Sequence, residues 1–174
     1  MKISDVIIQK NEECDTYLTK ALFPVNMRLY TSSKPYKEII RTAFSHMRKL
    51  MKLEKFEDYP ELSGISGANV GVPWNIIIVR LREEKLKGEL FHMINPVIIE
   101  KSTEVKTTQS NCGSLNLPNR VIIKRHLWVK VYYFNLKGKK RVKNFVMKKG
   151  TAGTIQHEVE HNQGILITDK GTKQ

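Results

Sequence analysis

The chain has 174 residues, 40% hydrophobic and 27% charged, with 30 Lys and Arg against 17 Asp and Glu for a net charge of +13. That length suits one domain, taken as residues 1–174, with a sizeable core, and the composition is that of an ordinary folded protein. No run approaches the roughly 18 apolar residues of a membrane-spanning helix, and the basic excess favours weak attraction to polyanions such as the ribosome over specific DNA binding.

The N-terminal stretch holds a short apolar run, Val6-Ile7-Ile8, and meets polar Gln9-Lys10-Asn11-Glu12-Glu13 too early for a secretory signal, so a cytoplasmic protein is expected. Cys14 and Cys112 do not make a disulfide framework in a chain this long. Cys14 sits in a polar stretch and reads as a small, inert residue. Residues 1–32 otherwise show little periodicity.

From Ser33 the pattern changes. Ser33 suits an N-cap, Pro35 suits the first turn, and Tyr36, Ile39, Ile40, Ala43, Phe44, Met47, Leu50 and Met51 form a helix-period stripe that predicts a core-facing helix. His46 lies off the stripe and belongs to the solvated face. A polar loop with Pro60 is expected over 55–63, followed by the small-residue run Gly64-Ile65-Ser66-Gly67-Ala68-Asn69-Val70-Gly71, where glycines permit close backbone approach. It lacks the Lys and Ser/Thr of a phosphate-binding loop.

Residues 72–81 read as a strand centred on Ile76-Ile77-Ile78-Val79, residues 82–89 as a charged turn, and 90–99 as a strand interrupted by Asn95-Pro96. Residues 101–119 are polar with scattered β-formers and contain Ser110-Asn111-Cys112-Gly113-Ser114. The clearest β signal is the alternation of Leu127, Val129, Val131 and Tyr133 with Trp128, Lys130, Tyr132 and Phe134, turning at Leu136-Lys137-Gly138-Lys139 into a second strand over 141–147. Aromatics on both faces predict a hairpin packed on two sides. After Lys148-Lys149-Gly150, Thr151 is placed to cap a last helix with Ala152, Ile155 and Val159 on its apolar edge and Gly164 as its stop. Antiparallel strands between two helices give an α+β class.

The last helix carries Gln156-His157-Glu158-Val159-Glu160-His161. Histidines four apart on a helix point the same way, so both imidazoles can reach one metal ion, and the glutamate between them can take a proton from activated water. A third ligand is needed. An extended motif with histidine six residues on fails, because Ile167 stands there although Gly164 matches; a later glutamate fails too, since Asp169 is the sole acid after His161. The third ligand is therefore sought upstream. Cys112, in a glycine-containing loop, offers a thiolate that zinc or ferrous iron accepts readily, with His92 and His126 as alternatives.

At these residues the chain resembles the peptide deformylases. Their motifs run Gly-x-Gly-Leu-Ala-Ala-x-Gln, then Glu-Gly-Cys-Leu-Ser, then Gln-His-Glu-x-Asp-His. The third matches as Gln156 to His161, with Glu160 for Asp, and continues into Gly164-Ile165-Leu166; Ile94-Asn95-Pro96 and Arg125-His126 also look family-like. The spacing from Cys112 to Arg125-His126 resembles the Gram-positive-type subclass. In the first motif Leu62 replaces the first glycine and Asn69 the glutamine; in the second, Ser110 and Gly113 replace the glutamate and the leucine.

The resemblance implies a deformylase-like α+β fold with antiparallel sheets packed around the helix that bears the two histidines. It implies a hydrolase that removes the N-terminal formyl group from formyl-methionyl nascent peptides and releases formate. Cys112, His157 and His161 would bind one divalent ion, Fe2+ in the cell and Zn2+ or Ni2+ in preparations. Glu158 would carry the proton, and the Asn69 amide and Gly113 N–H would stabilise the oxyanion, a role that needs no side chain at Gly113. Gln156 and Glu160 would orient ligands or hold the helix, and an apolar pocket would take the methionine side chain. The rival readings are another small metal-dependent peptidase, a deformylase-like protein with reduced or lost activity, and a basic RNA- or ribosome-binding module.

Overall fold

The computed structural model describes residues 18–52, 62–81, 89–115, 117, 119–147 and 150–173. The run Val6-Ile7-Ile8, Cys14, most of the loop expected over 55–63 with Pro60, the turn at 82–88 and Lys148-Lys149 lie outside the described residues. A short helix absent from the sequence expectations, α1 (Met27–Ser32), is capped by the Asn26 side chain, which accepts from the Leu29 N–H. It runs directly into α2 (Lys34–Lys52). Ser33 serves both helices: its N–H donates to the Leu29 carbonyl and its Oγ accepts from the Tyr36 N–H. The expected stripe faces inward at Ile40, Ala43, Phe44, Met47, Leu50 and Met51, while Ile39 is 51% exposed and His46 is solvated.

The strands are β1 (Gly64–Ser66), β2 (Ile76–Arg80), β3 (Leu90–Lys101), β4 (Val105–Ser110), β5 (Val121–His126), β6 (Trp128–Phe134) and β7 (Lys140–Val146). They precede α3 (Thr151–Asn162), a one-turn helix α4 (Ile167–Lys170) and β8 (Thr172–Lys173). β1-β2-β3-β6-β7 form one sheet and β4-β5-β8 a smaller one, every pairing antiparallel, which bears out the α+β class.

The period of two along β2 explains its unbroken apolar run. Ile76 and Ile78 join Ile94 under α1 and α2 on one face, while Ile77 and Val79 join Met93, Val129, Val131, Tyr133 and Phe145 against Ala152, Ile155 and Val159 of α3 on the other. A strand buried on both faces alternates nothing.

Three expectations need correction. β3 is not interrupted at Asn95-Pro96; its register against β6 shifts there instead, a bulge in which Asn95 takes φ 51° and its carboxamide pairs with the Val25 N–H and carbonyl. The β6–β7 hairpin is not covered on two sides along its length. Phe134 reaches the α2 layer, but α2 packs at the β1-β2 end, leaving Trp128, Val142 and Val146 at 37%, 53% and 47% exposure. Thr151 does not cap α3. Gly150 is the N-cap, at φ 85°, because the chain enters the helix through a left-handed turn that favours glycine. Gly164 ends α3 as expected, at φ 74°.

Phe44 is fully buried between α2 and the sheet. Phe44→Ala should lower unfolding free energy by about 3–5 kcal/mol with an unchanged urea m-value; a loss under about 1 kcal/mol would mean that α2 is not packed as described.

Candidate metal centre

The site is built where the smaller sheet meets α3. His157 and His161 stand one turn apart with their Nε2 atoms 3.0 Å from each other and the rings nearly perpendicular. Cys112 lies just after β4 in a turn closed by the Leu115 N–H donating to its carbonyl. Its Sγ is 3.3 Å from His161 Nε2. One donor atom from each of the three residues lies within 4.8 Å of the others, so together they could hold one ion.

The alternatives do not converge there. His92 packs edge-on against Phe44 beside Arg48, and burial followed by that guanidinium lowers its pKa to about 4. His126 donates from Nδ1 to the Ser102 carbonyl at 2.6 Å.

The three donors fit a metal chemically. Burial, then His161 and Arg125, push His157 well below its ordinary range, and burial brings His161 down to about 4. Both imidazoles are therefore neutral near pH 7, with lone pairs for a cation. Burial raises the Cys112 thiol to about 11, a cost that a bound cation reverses by favouring the thiolate. One sulfur and two nitrogens leave a fourth tetrahedral position open.

Glu158 is 4% exposed beside this cluster, and its Oε2 has no hydrogen-bond partner among the described residues. Burial raises its pKa to about 8, against the pull of Arg125. The close packing comes from Gly64. A Cβ there would sit 2.8 Å from Glu158 Oε1 and 2.5 Å from Thr154 Cγ2, so only a glycine lets β1 lie flat on α3.

Asn69 lines the cavity beside the cluster, but its carboxamide is already engaged. Its Oδ1 accepts from the Ser66 N–H and hydroxyl, and its Nδ2 donates to Ser114 Oγ. It thus ties β1 to the Cys112 turn and keeps one N–H unspent. Gly113 lines the same cavity of about 360 Å3 as Asn69, Cys112, His157 and Glu158. An added Cβ at Gly113 would meet nothing closer than Leu62 at 3.6 Å.

Gln156 and Glu160 hold the helix. Gln156 accepts from the His126 N–H and donates to the His126 and Ala152 carbonyls. Glu160 forms a buried ion pair with Arg125 and a second with Lys170. Arg125, Ser66, Ser114 and Lys170 were not among the residues singled out for a role. Arg125 was legible in principle, being a charge in phase with buried Val121 and Ile123 along β5.

Residues 21–174 match the family model described as polypeptide deformylase. The chain belongs to the peptide deformylase family. It is 32% identical over 156 residues to the peptide deformylase of Buchnera aphidicola (strain Tuc7), covering 87% of this chain and 83% of that one. It is 31% identical over 148 residues to that of Rickettsia prowazekii, covering 82% and 81%. The fold resembles the Met-Ala-Ser-bound class I type b enzyme of Acinetobacter baumannii at TM-score 0.73 and 25% identity, over 94% of this chain and 96% of that one. It also resembles the deformylase of Plasmodium falciparum at TM-score 0.73 and 23% identity, over 95% and 86%. As a deformylase, the protein is a metal-dependent hydrolase that removes the formyl group from nascent peptides. Neither a small peptidase nor a binding module is favoured. No helix among the described residues is long and apolar enough to cross a membrane.

The metal-free protein should show the buried carboxyl directly. Folded Glu158 keeps its proton to about pH 8, whereas an unfolded glutamate loses it near 4.5. The folded state then binds the extra proton, so stability falls as pH rises; the histidines, lowered from 6.5, contribute the opposite slope only below that pH. The Tm of metal-free protein should drop between pH 6.5 and about 8, and Glu158→Gln should flatten the profile. A flat wild-type profile would contradict a buried, uncharged carboxyl.

Proposed function

We propose that Cys112, His157 and His161 are the ligands of the deformylase ion, Fe2+ in the cell and Zn2+ or Ni2+ in preparations, and that Glu158 is the proton carrier. The convergence of three neutral-at-rest donors beside a buried carboxyl carries this reading. When bound, the ion supplies Lewis acidity to the formyl carbonyl and lowers the pKa of water toward neutrality.

The chain's own groups do the rest. Ionised Glu158 accepts a proton from the water that adds to the formyl carbon. As the C–N bond breaks, it returns that proton to the leaving nitrogen, so formate and a free N-terminus result. The spare N–H of Asn69 and the Gly113 N–H are the donors available to the formyl oxygen as charge builds on it, each worth on the order of 3 kcal/mol of barrier. Because one Asn69 N–H already serves Ser114, the same side chain both donates and holds the Cys112 turn in place.

Residues 1–174 are taken as one domain acting in the cytoplasm. The Gram-positive-type placement is likewise a proposal, supported by the length of chain between Cys112 and Arg125-His126. The charge of +13 supports weak ribosome association; co-sedimentation with ribosomes at low salt, abolished by high salt, is its check.

Formate release from formyl-Met-Ala-Ser by anaerobic, iron-loaded protein tests the reaction. Absence of formate, or cleavage of an unformylated peptide instead, would sink it. Cys112→Ser should lose stoichiometric metal. Glu158→Ala should keep the metal and lose turnover by about 10²–10⁴-fold. Gly113→Ala should stay within about threefold of wild type, since only the backbone N–H is used there; a collapse of activity would assign the glycine a steric role.

A further inference from the structure

The cavity beside the metal cluster is not walled by large apolar side chains on every side. On β5, Arg125 lines it, only 3% exposed. One guanidinium nitrogen bonds Glu160, while Nη2 is buried and has no hydrogen-bond partner among the described residues. The Glu160 carboxylate is itself shared with Lys170, so two cations face one anion. The neighbouring strand β4 adds polar, uncharged residues to this wall, Thr108, Gln109 and Ser110, and Ser110 stands where the family motif carries glutamate. The start of α3 also lines the cavity, where Gly150 and Gly153 present no side chain. The adjacent thioether of Met147 would lie 3.2 Å from a Cβ at Gly153.

A buried, charged donor without an acceptor is costly, and a ligand acceptor that reaches it recovers that cost. The glycine wall gives such a ligand room. A formylated nascent peptide begins with methionine, and the polar, acceptor-bearing form of that residue is its sulfoxide, one oxygen larger. We propose that Arg125 gives the substrate pocket a hydrogen-bond donor for the end of the first side chain, so that the enzyme accepts formylated peptides beginning with methionine sulfoxide as well as methionine. This rests on the deformylase reading of the site. An all-apolar pocket would reject the sulfoxide, because its oxygen would lose water without replacement.

The test compares metal-loaded wild type and Arg125→Met on formyl-peptides that begin with norleucine or methionine sulfoxide and end in Ala-Ser. Formate release is followed, and calorimetry measures binding of the corresponding unformylated product peptides. In wild type the sulfoxide peptides should match or exceed the norleucine peptides in kcat/KM, and their products should bind at least as tightly. In Arg125→Met the sulfoxide-to-norleucine ratio of kcat/KM should fall, and that of Kd should rise, by about tenfold or more, the range of a lost hydrogen bond to a charged group. A wild-type preference for norleucine overturns the proposal, as does a ratio that Arg125→Met leaves unchanged. If that variant does not fold, the wild-type ratio decides alone. If no formyl-peptide releases formate, the deformylase reading has failed, and the product-peptide Kd ratio still decides the pocket's chemistry.

Discussion

The buried ion pair between Arg125 and Glu160 sets the distance on which the site depends. Glu160 lies between the two histidines on α3, and Arg125 belongs to β5. β5 pairs with β4 in a register that places Lys106 opposite Arg125 and Ser110 opposite Val121, so the strand delivers Cys112 two residues later at a fixed offset. Docking the helix to the arginine therefore docks two imidazoles to one thiol. Such a pair adds little net stability compared with well-packed apolar residues, yet removing one partner costs about 3–5 kcal/mol because the other charge is stranded. Its value here is positional. The Gln156 contacts with His126 hold the same helix to the same strand, and Lys170 ties Glu160 to α4.

A second constraint works from the opposite side. Gly64 lets β1 press against α3 until the Glu158 carboxyl is shut away from solvent. The burial that neutralises His157 and His161 also raises Glu158 to about 8 and Cys112 to about 11. Without a cation these shifts leave an uncharged cluster. A divalent ion held there, as proposed, would favour the thiolate and the carboxylate together and so couple metal binding to readiness for proton transfer.

Much of this was legible in the chain. Spacing alone placed His157 and His161 on one helix face with Glu158 beside it, and the failure of the downstream ligand schemes sent the search upstream, to Cys112 with His92 and His126 as alternatives. The α2 stripe was readable because burial on one face leaves a period, and the Ile76–Val79 run because burial on both faces leaves an unbroken apolar stretch. The steric need at Gly64 was not, since a glycine in a small-residue run looks alike whether it faces solvent or a carboxylate. Nor could Asn69 be seen spending its amide on Ser66 and Ser114, whose partners lie across 45 residues of chain in the second case. Thr151 misled because a threonine before a helix resembles a cap, while the backbone enters through Gly150. The bulge at Asn95 read as a break because proline removes a ladder donor, whereas the strand continues past it with the Asn95 side chain bonded to Val25.

One thiolate and two imidazoles are proposed to share one ion. X-ray absorption at the metal edge of zinc-loaded protein tests it most directly. It should show one sulfur at about 2.3 Å and two imidazole nitrogens at about 2.0–2.1 Å, with one further light-atom ligand. A first coordination sphere of nitrogen and oxygen alone would contradict the assignment of Cys112 and with it the geometry that the Arg125–Glu160 pair is held to enforce.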